Sequence, residues 1–122
     1  MSSSSKSPLF FLYHIKESIE AIASYLQDGG KDAFLHRRMV QMAVLHELVI
    51  IGEAANNLSD DLKATYSHIP WRDIVDFRNV LAHHYYYWGV DMEVVWKIIE
   101  DGDKLPKLRS QVRALIDELE NQ

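Results

Sequence analysis

Apolar residues recur every three or four positions in five stretches of this chain, and each stretch predicts a helix. Leu12, Ile15, Ile19, Ile22 and Leu26 form the first stripe. Ser7 and Pro8 supply a cap and a first-turn residue ahead of it, and Gly29-Gly30 ends it. A longer helix is expected from about Asp32 to Asn57, with two stripes. One is Leu35, Met39, Met42, Leu45 and Val49; the other is Val40, Val44, Leu48, Ile51, Ala55 and Leu58. A helix apolar on two sides must be covered from two sides. Either a second copy or a central place in the bundle would do this, and the pattern leaves both open. Gly52 in this helix permits close approach of another backbone.

Ser59-Asp60-Asp61 predicts a short helix. Pro70 suits the first turn of a helix with Trp71, Ile74, Arg78 and Leu81 on one stripe. Gly89 breaks that pattern, and Asp91 caps a helix carrying Val94, Val95, Ile98 and Ile99. After a break at Asp101-Gly102-Asp103, Leu105, Leu108, Val112, Leu115 and Leu119 form the last stripe. No segment alternates with strand periodicity, and Tyr85–Trp88 is too short to change the class. The expected fold is all-α: an up-and-down bundle of four main helices plus short ones. Residues 1–7, rich in serine, read as a flexible tail, and residues 8–122 as one domain.

Composition narrows the function. The chain has no cysteine, which excludes disulfides, thiolate chemistry and Cys-based metal sites. No apolar run approaches the ~20 residues that span a bilayer, and none resembles a signal peptide, which fits a cytoplasmic protein. The net charge of −5 argues against broad nucleic-acid binding, so an RNA ligand would need a local basic site. His14, His36, His46 and His68 lack metal-ligand spacing, and His83-His84 alone is a poor metal site. Gly29-Gly30 is not followed by the Lys-Ser/Thr pair of a phosphate-binding loop, so no cofactor is implied.

The chemistry concentrates in Arg78-Asn79-Val80-Leu81-Ala82-His83-His84-Tyr85, followed by Tyr86, Tyr87 and Trp88. Arg78 can hold a phosphate with a planar fork of donors, and His83 can exchange a proton near neutral pH. Asn79 and His83 are four apart, so the amide can orient the ring. Arg78 and His83 can converge if the helix ends near His83, where its dipole favours a protonated imidazole. Cleavage through an RNA 2′-hydroxyl needs one group to accept a proton and another to donate one. Two copies of His83 at a two-fold axis would supply both. His84 is a second candidate, although adjacent residues point apart. Glu53 can pair with Arg78 and shares a polar stripe with His46 and Asn57. Arg37 and Arg38, beside His36, and Arg72 are further cations for phosphate. The same residues also fit plain roles: an ion-paired arginine, a capping histidine, packed aromatics and a solubilising basic triplet.

Arg78-x4-His83-x-Tyr85 resembles the Arg-x4-His-x-Tyr motif of HepT-like toxins in the HEPN superfamily. Ile51-Gly52-Glu53-Ala54, Ile69-Pro70-Trp71-Arg72-Asp73-Ile74, Val90-Asp91 with Val95-Trp96, and Leu105-Pro106 with Leu108 agree with its other elements in order. The likeness spans about residues 9–119. It implies a HEPN-like helical homodimer and a metal-independent endoribonuclease toxin with its site at the dimer interface. It also implies an MntA-like nucleotidyltransferase antitoxin that transfers AMP to the motif tyrosine, here Tyr85. The run Tyr86-Tyr87-Trp88 is longer than the family pattern, so Tyr86 and Tyr87 are alternative acceptors. The competing reading is a non-catalytic helical dimer that binds such a partner or is modified by it.

Overall fold

Pro8 opens helix α1 (Pro8–Tyr25), and its Leu12, Ile15, Ile19 and Ile22 are all buried. Each such aliphatic side chain contributes about 1.5–3 kcal/mol by leaving water. The helix ends four residues before Gly29-Gly30, and Gly30 begins the next helix instead of closing this one. Gly29 makes that reversal at φ +90, where any Cβ would also lie 2.9 Å from that of Ala33. The computed structural model describes residues 6–87, 89, 91–100 and 103–122, and for residues 84–87 the backbone alone. The expected tail therefore lies mostly outside the described residues, as do Trp88, Val90, Asp101 and Gly102.

The single helix expected over 32–57 is two helices, α2 (Gly30–His36) and α3 (Arg38–Asn57). Arg37 between them is extended, at φ −114 and ψ 110. Neighbours stabilise the break. Gln41 donates from Nε2 to the Leu35 carbonyl at 2.9 Å. Phe34 is fully buried, with its ring centroid 5.7 Å from that of Trp96. A short helix α4 (Asp60–Thr65) follows, and the Ser59 hydroxyl accepts from the Leu62 N–H at 3.1 Å, as a capping serine should. Then come α5 (Trp71–Tyr87), α6 (Met92–Glu100) and α7 (Lys104–Glu120). Asp91 caps α6 by accepting from the Glu93 N–H at 3.0 Å.

The four long helices run alternately up and down, and the described residues contain no strand. Helix α3 packs against both α1 and α5, while α7 packs against α1. Arg109 donates to Glu20 at 2.7–2.8 Å, and the Tyr13 hydroxyl donates to Glu120 at 2.6 Å, so α1 and α7 are antiparallel. Tyr66 donates to Glu118 and ties the α4–α5 turn to the same end of α7. The central place of α3 accounts for most of its two-sided apolar pattern. Val44, Leu45, Leu48, Ile51, Ala54 and Ala55 are buried within one chain. Met39, on the first stripe, is not covered; it is 80% exposed.

Candidate functional site

Helices α3 and α5 cross in contact at Gly52. A Cβ built on Gly52 would stand 2.1 Å from Arg78 Cβ and 2.6 Å from its Cγ. Only glycine admits that crossing, because the obstructing atoms sit at the root of the Arg78 side chain and cannot swing aside. The crossing lays the Arg78 stem against α3, where the next residue, Glu53, meets it. Arg78 Nη1 lies 3.1 Å from Glu53 Oε1, with the arginine side chain 19% exposed and the glutamate 52%. The predicted Glu53–Arg78 pair is therefore present. Arg78 Nε is buried and has no hydrogen-bond partner among the described residues. A buried donor without a partner is a cost that a bound anion or a neighbouring acceptor would relieve.

The motif histidine lies on another side of α5. Five residues at about 100° each place His83 roughly 140° round the helix from Arg78. The helix does not end near His83, as convergence with Arg78 would require; it continues to Tyr87. Asn79 and His83, four apart, share an exposed face. Val80, between Asn79 and Leu81 in sequence, is 52% exposed beside them. Tyr85 follows Arg78 by two helical turns, so its backbone returns to the Arg78 side. The side chains of His84, Tyr85, Tyr86 and Tyr87 lie outside the described residues. One chain thus holds the Arg78 cation at a helix crossing and presents His83 to solvent on a different side.

The remaining cations stand apart. Arg38 is fourteen residues from Gly52, about 21 Å along α3 at 1.5 Å per residue, and Arg37 lies just beyond it. Arg72 is 93% exposed, 4.0 Å from Asp76, at the opposite end of α5 from His83. It borders an open cleft of about 540 Å³ between α4 and the start of α5, lined also by Asn56, Lys63, Trp71 and Asp73. A smaller hollow of about 170 Å³ adjoins Glu53 and lies between α1 and α3. Its lining includes Phe11 and His14, which sit beside the α1 stripe; the sequence pattern weighs His14 only as a metal ligand and leaves Phe11 unremarked. Among the described residues no three His, Asp or Glu side chains gather in a metal-binding arrangement, and no helix is long and apolar enough to cross a membrane.

Comparison with known proteins finds a family and several relatives. The profile of the family described as "Ribonuclease HepT-like" matches residues 15–115. A protein of Methanocaldococcus jannaschii named "Gamma-glutamylcyclotransferase and putative RNase" is 36% identical over 90% of this chain, which spans only 48% of that protein. A second protein of that organism, named "Putative RNase", is 33% identical over 84% of this chain and 90% of its own length. A "Probable ribonuclease HepT" of Thermococcus cleftensis is 35% identical over 86% of this chain and 92% of its own length. No solved structure matches the chain at a significant level.

Proposed function

The chain belongs to the HepT-like ribonuclease family, and from that premise we propose that it is a metal-independent endoribonuclease, the toxin of a cytoplasmic toxin–antitoxin pair. The observation that carries the reading is the Arg78 guanidinium, held at the α3–α5 crossing by Gly52 and Glu53, with His83 exposed further along the same helix.

In this reading Arg78 binds the scissile phosphate and offsets the charge that grows on it. One imidazole takes the 2′-hydroxyl proton as that oxygen attacks phosphorus, and a second protonates the departing 5′-oxygen. A single His83 fills one role at a time, so the active species is a homodimer in which two His83 rings share a cleft. The exposed Val80 beside Asn79 supports a partner covering this face. Asn79 orients His83, and Tyr85 positions the substrate. Arg37, Arg38, Arg72 and His84 are secondary contacts for RNA.

The partner is an MntA-like nucleotidyltransferase. The Tyr85 phenol attacks the α-phosphorus of ATP, an AMP ester forms and pyrophosphate leaves. The added bulk and negative charge then close the cleft to RNA. The test joins both halves: the purified chain is incubated with such an enzyme and ATP, and RNA cleavage is followed beside intact mass and peptide mapping. Cleavage should fall in step with a one-AMP gain at Tyr85, from a species that scatters light as a dimer. Modification confined to another region, or cleavage undiminished by full modification, would refute the inhibitory role; an active monomer would refute the shared cleft.

A further inference from the structure

Beside Glu53, α1 and α3 border the shallow hollow of about 170 Å³. It is lined by Phe11 and His14 from α1 and by Ile50, Glu53, Ala54 and Asn57 from α3. His14 is exposed and stands edge-on to Phe10, with ring centroids 4.7 Å apart. Phe10 is itself 41% exposed, packs edge-to-face on Phe11 at 5.2 Å, and carries the Lys6 ammonium 4.0 Å from its ring centre. Three contiguous rings, one of them with a cation over it, at an apolar hollow have the composition of a platform for an unpaired base.

The polar part of the lining has a definite hydrogen-bonding sense. Asn57 donates from Nδ2 to the Glu53 carbonyl at 2.8 Å, which leaves its amide oxygen as an acceptor. The Glu53 carboxylate also only accepts. Adenine and cytosine offer an exocyclic amine to such groups, where uracil offers a carbonyl oxygen. We propose that the α1–α3 slot walled by Phe11 and His14 binds one unpaired base of the RNA substrate and prefers adenine or cytosine to uracil. Glu53 links the two places, since it lines the slot and also holds Arg78. A base seated here would have its strand leading towards the phosphate site. This rests on the ribonuclease reading above, of which it names a specificity subsite.

The test reads binding separately from cleavage. Short labelled 2′-O-methyl oligo(A), oligo(C) and oligo(U), which lack the attacking hydroxyl, are titrated with the full chain and followed by fluorescence anisotropy. The wild type should bind oligo(A) and oligo(C) several-fold more tightly than oligo(U). His14→Ala should weaken oligo(A) binding about tenfold, the order expected for a lost stacking ring. His14→Phe should restore it, and Asn57→Ala should erase the preference without weakening oligo(U). No base preference in the wild type, no binding at all, or unchanged affinity in His14→Ala overturns the proposal. So does a change of assembly mass in His14→Ala by light scattering, because the slot would then be a protein–protein contact. Cleavage of unmodified RNA is measured in parallel. Base preference without cleavage sinks the ribonuclease reading and keeps the slot; cleavage without base preference sinks the slot alone.

Discussion

The two sides of α5 are built on different principles. On the side facing α3, Arg78 is fixed by shape: its stem fills the space a Gly52 side chain would take, and its head meets Glu53. On the other side, Asn79, Val80 and His83 are exposed. Shape fixes the cation within one chain, whereas the exposed side carries His83, to which the proposed function gives the proton transfer. A substitution on the first side should therefore disturb both fold and chemistry. One on the second should disturb chemistry alone.

His83→Ala is the sharpest probe of that division and the largest expected effect. RNA cleavage should fall about 10²–10⁴-fold, the usual value of general acid–base help. The thermal midpoint should stay at the wild-type value, because His83 is exposed. His84→Ala should cost far less; a reversed order would move the acid–base role to His84. Arg78→Lys comes next. A compact ammonium cannot reproduce the planar fork, so cleavage should drop about tenfold to a hundredfold, the range of one charge-assisted hydrogen bond. A matching loss in steady-state and single-turnover rates would place the effect in chemistry.

Gly52→Ala tests the other side. The new methyl must push α5 away at Arg78, so stability should fall by about 1–3 kcal/mol, with a thermal midpoint several degrees lower. Cleavage should fall with it even at temperatures where the variant is fully folded. Unchanged stability would mean that the crossing is looser than the Gly52–Arg78 geometry requires. Glu53→Gln should have a milder effect, a few-fold in rate, since Glu53 is half exposed and water screens the pair.

The smallest expected effect lies away from the site, at the α1–α7 contact. Hydrogen bonding from Arg109 holds the Glu20 carboxyl below its usual range. Folding therefore favours the ionised form. That contribution is present above the unfolded-state value of about 4.3 and fades as pH falls through the lowered folded value. Urea titrations across that acid range should show a slightly shallower loss of stability in Glu20→Gln than in the wild type, while cleavage at neutral pH stays unchanged. An identical pH slope would remove the pair from the account of acid stability.

Most of the helices are legible in the sequence because their ends carry local signals, such as Ser59 before α4, Asp91 before α6 and Pro8 at the start of α1. The break at Arg37 is not. His36-Arg37-Arg38 contains neither glycine, proline nor a capping residue, and the break is stabilised by distant partners: Phe34 packed by Trp96, and Gln41 reaching back to Leu35. The site divides in the same way. Glu53 could be paired with Arg78 from sequence because it is an acid set among small and apolar residues. Helical spacing alone left the Arg78–His83 relation open, since it turned on where α5 ends. The slot was hidden because Phe11 and His14 come from α1 and the rest of its lining from α3, a helix far away in sequence.

One measurement bears on the central claim most directly: incubation of the purified chain with labelled RNA, with and without EDTA, resolved on a sequencing gel. The account predicts discrete cleavage products in equal amount under both conditions, absent from a parallel preparation of His83→Ala. Wild-type cleavage at background would contradict it and leave the non-catalytic helical dimer in its place. Cleavage abolished by EDTA would contradict the metal-independent chemistry assigned to Arg78 and His83.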